Sequence, residues 1–431
     1  MTPHETTDPR LPTPVGFLRR LSGLRKRLSW KQAVTALKYP NYRLWFWSQM
    51  FSLFGAWMES TALGFLVFDL TRSTAYLGLV GFATGGPTWI FMLYAGVIAD
   101  RVPRRTLLMI TQTAMMLLAF GLAALAFLHL VQPWHILVIA LLLGTANAFE
   151  APARQAFVLE MVEAEDMTNA IALNSAMFNT ATALGPAAAG LTYALFGPAW
   201  CFLINGISFI AVIVALKLMK LKPFVPKPIR ASALADLKEG LKYVAAHPMI
   251  RTIMGLIGVV SLFGISFITL IPAWSVNILH GDARTNGFLQ SARGAGALVA
   301  ALLIASLGRF HFRGRLLTFG AFALPAVTAL FALVRWTPLS LVLIFGAGLS
   351  LILVFNLANA MVQSFAPNEL RGRIMSIYAL TFFGLAPIGS LGIGLTAERI
   401  GQPAAIFIGT GIMFLAAVAI AVFMPRLRRQ E

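Results

Sequence analysis

The chain has 431 residues, 58% of them hydrophobic and only 12% charged, with a mean hydropathy of +0.78. A soluble chain of this length carries about 25% charged residues, so water is excluded as the solvent for most of this surface. The formal net charge of +18 would suggest nucleic acid on a soluble protein. Here the basic residues fall between apolar runs, the pattern of a polytopic membrane protein, and no nucleic-acid partner is expected.

Residues 1–42 form a polar, basic segment. Within it Phe17, Leu21, Leu24 and Leu28 fall near helical spacing among Arg19, Arg20, Arg25, Lys26 and Arg27. That pattern fits a basic amphipathic helix over 17–38 lying on an anionic leaflet, or an irregular basic tail. No short apolar run with a small-residue cleavage site opens the chain, so a cleaved leader is not expected. A transmembrane helix needs about 20 mostly apolar residues. Such runs fall at 43–69, 76–99, 106–128, 134–156, 169–196 and 199–220, making an N-terminal half over 43–221. Residues 222–250 make a linker, rich in proline at first (Pro223, Pro226, Pro228) and then amphipathic and helical (Leu234, Leu237, Leu241, Val244). Further runs at 251–279, 285–307, 316–334, 338–363, 373–399 and 403–424 make a C-terminal half over 251–424, followed by a tail at 425–431. The expected fold class is an all-α membrane protein of about twelve transmembrane helices in two six-helix, pseudo-symmetric halves.

Basic residues set the expected orientation. One side holds the N-terminal segment, the linker, the tail and the loops with Arg101, Arg104, Arg105, Arg154, Arg313, Arg315, Arg371 and Arg373; the other holds Arg72, Arg284, Arg335 and Arg399. The positive-inside rule then places both termini in the cytoplasm of a bacterial inner membrane and requires an even number of spans. An internal repeat supports two halves. Ser52-Leu53-Phe54-Gly55 recurs as Ser261-Leu262-Phe263-Gly264, 209 positions on, and the same offset takes Arg104 to Arg313 and Asn147 to Asn356. Later it shrinks, pairing Pro186 with Pro387. Halves of like topology are related by an axis along the membrane normal, with a central pathway between them.

The loop after the second run reads Gly96-Val97-Ile98-Ala99-Asp100-Arg101-Val102-Pro103-Arg104-Arg105. It resembles the G-x-x-x-D-R-x-x-R-R/K loop of the major facilitator superfamily, and span count, repeat and linker extend that resemblance over nearly the whole chain. Asn147 to Ala156 and Glu369 to Ser376 resemble the branch that holds the enterobactin exporter and related drug/proton antiporters. Gly96 would let another helix approach closely. Asp100 could pair with Arg104 or Arg105, or accept from the start of a neighbouring helix. With Arg101 these residues would form a gate that holds one side shut in one state, unless the loop only sets topology. Gly185-Pro186-Ala187-Ala188-Ala189-Gly190 is similar to the Gly-Pro antiporter motif of exporters in this family; close helix packing is its plainer reading.

Acids inside spans are scarce. An ionised carboxylate near the bilayer centre costs about 3 kcal/mol or more, and a proton relieves that cost. Glu59 lies mid-span on one helical face with Trp45, Gln49, Ser52 and Ala56, which suits proton coupling or, more plainly, a structural hydrogen bond. Glu150 shares a face with Asn147 and Arg154; it could couple to protons or stay ionised as an i,i+4 ion pair. The repeat places Asn359 and Gln363 where Glu150 and Arg154 stand. Asn356, Asn359 and Gln363 could therefore bind substrate neutrally, or serve as polar glue. Arg293 is the basic residue set deep in a span; it could pair with Glu59, attract an anionic substrate or snorkel outward. Asp69 and Glu398 lie at span ends and are expected to be solvated. Cys201 stands alone, the six histidines are scattered, and no phosphate-binding loop or paired nucleophile and base occurs. No catalytic residue, metal or cofactor is expected.

The reading that follows is a monomeric secondary active transporter. It would drive proton-coupled efflux of small amphipathic, drug-like molecules by alternating access, with protons, a small-molecule substrate and the bilayer as partners. Alternatives are a siderophore exporter, an uptake permease and, in another class, a membrane enzyme or non-transporting partner.

Overall fold

The computed structural model describes residues 34–221, 233–307 and 312–423. The amphipathic helix expected over 17–38 lies outside the described residues, apart from a short 3-10 turn at Thr35–Lys38. Twelve long helices follow: α1 Pro40–Thr71, α2 Thr74–Arg101, α3 Arg104–Phe127, α4 Pro133–Val158, α5 Met167–Phe196, α6 Pro198–Leu218, α7 Pro248–Asn277, α8 Ala283–Leu307, α9 Arg313–Leu333, α10 Thr337–Phe365, α11 Arg371–Ile400 and α12 Gln402–Phe423. A linker helix, Ala233–Ala246, precedes α7. Among the described residues there is no strand, and ten of these helices are long and apolar enough to cross a membrane unaided. The other two, α2 and α5, are rich in small residues and lie where the halves meet. The chain is a multi-pass membrane protein.

Local sequence sets the helix starts and stops. Proline opens α1, α4, α6 and α7, where a missing N–H costs nothing. Gly197 (φ +90°) ends α5 and Gly401 (φ +86°) ends α11, a backbone conformation that a side chain would strain. The repeat shows in the packing. Within the first half α2 packs on α4, α3 on α6 and α1 on α5; within the second, α8 packs on α10, α9 on α12 and α7 on α11. Between the halves α5 runs along α8 and α2 along α11. One departure is α7, whose helix passes through a π segment (Val260–Ile265) and a 3-10 segment (Ser266–Leu270) before resuming at Ile271. Pro272 explains it: proline inside a helix lacks the N–H and clashes with the preceding turn, whereas the repeat places Leu63 at the matching position of the unbroken α1.

The two ends of the bundle differ. At the linker end, α1 is pinned to α5 within its own half. Tyr39 donates to Asp166 (2.8 Å), Lys38 pairs with the same carboxylate (2.6 Å), and Tyr42 donates to the Ala170 carbonyl (2.9 Å). The Lys38 ammonium and then the Tyr39 hydroxyl hold the Asp166 carboxyl below its ordinary range. The linker helix is tied to α11 by Arg373 and Glu239 (2.5 Å). At the far end the halves are joined to each other. Glu398 of α11 was expected to be solvated; instead its Oε2 accepts from the Thr74 amide (2.7 Å), the Thr74 hydroxyl (2.9 Å) and the Ala75 amide (3.1 Å). The first turn of α2 has unsatisfied N–H groups and a positive dipole end, which explains why a carboxylate settles there. Thr74 also donates to the Gly394 carbonyl (3.0 Å), and across α5 and α8 the Ala187 amide donates to Ser291 (2.7 Å).

Replacing Glu398 by Gln removes the charge from this tie and should shift the population toward far-end opening. With Cys201→Ser as background, a cysteine at Ser390 should react with an impermeant maleimide added from that side about five-fold faster in the Glu398→Gln variant; an unchanged rate would show that the tie does not hold the end shut.

Candidate substrate cavity

A cavity of about 280 Å³ lies inside the N-terminal half, walled by α1, α3, α4, α5 and α6 with Thr84 from α2. It brings together Gln49, Ser52, Glu59, Asn147, Glu150 and Arg154, six of the residues singled out in the sequence. Spacing explains the α1 and α4 contributions. Gln49, Ser52, Ala56 and Glu59 repeat at three or four residues along one face of α1, and Asn147, Glu150 and Arg154 do the same on α4.

The two acids, 3% and 4% exposed, are held differently. Glu59 Oε2 accepts from the Asn205 side-chain amide of α6. Ser208 donates to the Asn205 backbone carbonyl (2.7 Å), and its Oγ stands 3.1 Å from Asn205 Oδ1. Gly55 makes the arrangement possible, since a Cβ there would stand 2.6 Å from Asn205 Oδ1 and 2.8 Å from Ser208 Oγ. No cation pairs with Glu59 among the described residues; of the three options open for Arg293, pairing with Glu59 does not occur among the ion pairs there. Glu150 accepts from Gln112 Nε2 (3.0 Å), and Arg154 Nε stands 3.9 Å from the same oxygen. Gln49 Nε2, Glu59 Oε1 and Gln112 Oε1 are buried without a protein partner. They leave unused hydrogen-bonding capacity, one donor and two acceptor oxygens, in the wall of the cavity. Trp57 and Phe178 meet edge to face at 5.9 Å and supply an apolar wall.

A second cavity of about 440 Å³ lies between the halves, walled by α1, α2, α7, α8 and α11. Ser60, Leu63 and Thr84 line both, so the two spaces adjoin. The second holds Thr269, Gln290 and Ser390 as its other polar groups, with Phe382 and Phe383 among the apolar ones.

Other singled-out residues lie elsewhere. Asn356 and Gln363 are exposed on α10, where Gln363 donates to Asn359 (2.6 Å); none of the three lines either cavity. Arg293 is 9% exposed, lines neither cavity, and its Nε has no partner. The repeat makes it the counterpart of Thr84, which lines both. In the loop motif, Gly96 has open space where a Cβ would be, so no helix among the described residues approaches it closely. Arg101 is exposed, Arg104 pairs with Glu160, and Arg105 donates to the Lys217 carbonyl (2.9 Å) at the end of α6. The side chain of Asp100 lies outside what is described. Gly185 packs against Phe54 and Trp57 of α1, and Pro186 and Gly190 meet Gly287 of α8, so that segment forms the seam between α5 and the second half. Gln112 and Asn205 were not foreseen. Gln112 carried a signal, because the repeat places Ala321 opposite it; Asn205 is a lone amide in the apolar run of α6.

The model of a family described as transmembrane secretion effectors matches residues 32–431. The chain belongs to this family of major facilitator superfamily transporters. Among its relatives, the enterobactin exporter EntS of Escherichia coli is 26% identical, over 93% of this chain and 96% of that one. The multidrug efflux pump Tap of Mycolicibacterium fortuitum is 25% identical, over 86% and 92%. The staphyloferrin A transporter of Staphylococcus aureus is 29% identical over 60% of this chain and 66%, just under two thirds, of its own length. Solved structures share the fold: a variant of the nucleoside transporter NupG superposes with a TM-score of 0.70 at 14% identity, covering 91% of this chain and 100% of that one. A D-xylose–proton symporter gives 0.66 at 12%, covering 91% and 99%. The major facilitator relatives are transporters, which sets aside the membrane-enzyme alternative.

Two glycines test the packing directly. Gly55→Ala should destabilise the protein by about 1–3 kcal/mol, because the new methyl group pushes Asn205 off Glu59. Gly96→Ala, which meets open space, should melt like wild type in the same detergent. Equal melting temperatures for all three proteins would refute the tight α1–α6 contact.

Proposed function

We propose that this transporter exports small amphipathic molecules by alternating access, driven by protons that pass through Glu59. What carries this reading is the Glu59 environment: a buried carboxylate with a neutral amide donor on one oxygen, no partner on the other, and a cavity in front of it. Ionised, such a group costs about 3 kcal/mol or more in a bilayer; protonated, it is neutral and can give its proton to whichever side the cavity faces. Glu150, flanked by Gln112 and Arg154, suits a fixed charge or a second proton site. Unpartnered polar atoms beside Trp57 and Phe178 suit a ligand with one polar and one apolar end.

The basic linker end is read as cytoplasmic. The tie between Glu398 and Thr74 then lies outside, and parting of the halves at the Gly96 end opens the cavity to the cytoplasm, the side from which an exporter loads. A dedicated siderophore exporter is the second reading, favoured by the near full-length match to EntS.

Glu59→Gln keeps the hydrogen-bonding shape and removes the titrating group. In proteoliposomes it should abolish uphill, proton-driven efflux while preserving downhill exchange of the same compound; full uphill transport by the variant would remove Glu59 as the coupling residue.

A further inference from the structure

A concave surface with a volume of about 730 Å³ lies on the outside of the bundle, between α1 and α6. Its walls are Leu44, Trp47 and Phe51 from α1 and Val214 and Leu218 from α6, all exposed, with Arg43 at its linker-end mouth. These positions recur at helical spacing on two antiparallel helices, so the trough runs along the membrane normal for about 12 Å. It is rigid at the mouth: Asn41 donates to the Lys220 carbonyl (2.8 Å) and accepts from the Lys220 amide (3.2 Å), clamping the start of α1 to the end of α6.

Charge identifies the occupant. Arg43, Arg105, Lys217 and Lys220 gather at this end, and none of them has a carboxylate partner among the described ion pairs. The scaffold does not require this, because the repeat places Thr252 where Arg43 stands. The preceding segment of this chain is itself basic, with seven Arg and Lys against two acids over residues 1–33, and does not complement the mouth. A molecule that fits has an anionic head at the interface and an apolar chain reaching into the bilayer. We propose that the α1–α6 trough is a binding site for one anionic phospholipid of the linker-side leaflet, its phosphate on Arg43 and an acyl chain against Trp47 and Phe51.

Native mass spectrometry of the full-length protein tests this, with phosphatidylglycerol and phosphatidylethanolamine of identical acyl chains as probes. Wild type should retain one phosphatidylglycerol in preference to phosphatidylethanolamine, and Arg43→Gln should weaken that retention about five-fold. Ala211→Trp, which fills the trough floor without changing charge, should weaken it too. Inorganic phosphate should not compete, since it lacks the chain. Equal retention of the two lipids by wild type, wild-type retention by Arg43→Gln, or competition by phosphate overturns the site. Loss in Arg43→Gln with no loss in Ala211→Trp also overturns it, leaving only attraction to a charged surface.

Discussion

Carboxylates kept inside a membrane-spanning bundle are the constraint on which the N-terminal half is organised. Each must be given donors, because an unsatisfied ionised group in hydrocarbon costs more than most single packing interactions supply. The protein answers the problem twice. Glu59 receives a neutral amide, which requires Asn205 on α6 and Gly55 to leave it room. Glu150 receives Gln112 and the nearby cation of Arg154. One carboxylate thus has a neutral amide beside it and the other a guanidinium. The two sites are therefore chemically unlike although they share one cavity.

The same scaffold serves both halves, and its departures from symmetry are informative. Matching helix pairs pack alike, yet Pro272 breaks α7 where Leu63 leaves α1 whole. Ala321 stands opposite Gln112, and Asn359 and Gln363 stand opposite Glu150 and Arg154. The two buried carboxylates, Glu59 and Glu150, both lie in the first half, while the second supplies a broken helix and aromatic rings to the space between them.

Much of this was legible in the sequence, for physical reasons. Lipid demands long apolar runs, so the spans could be read from hydropathy; the periodicity of 3.6 placed Gln49, Ser52 and Glu59 on one face. What could not be read depends on contacts between distant segments. Asn205 is 146 positions from Glu59, and nothing in its apolar run names its partner. Glu398 looked like a solvated span end because the open start of α2, 324 positions away, cannot be seen from α11. Asn356 and its neighbours had the right spacing for a polar face, but which way that face turns is decided by packing against α8 and α9.

Helix α2 links these features mechanically. Its first turn is held by Glu398, its middle contributes Thr84 to both cavities, and its end carries the loop motif. Helix α1 plays a similar part, since Glu59 and Ser60 are adjacent, one in the polar cavity and the other shared with the space between the halves. A change at Glu59 is thus one residue from the central space and, through Thr84, one helix from the far-end tie. Packed helices move as rigid bodies more readily than they bend. Tilting α2 against α11 about its middle would release the Glu398 end as it brings the Gly96 end inward, and that is the motion a two-sided transporter needs.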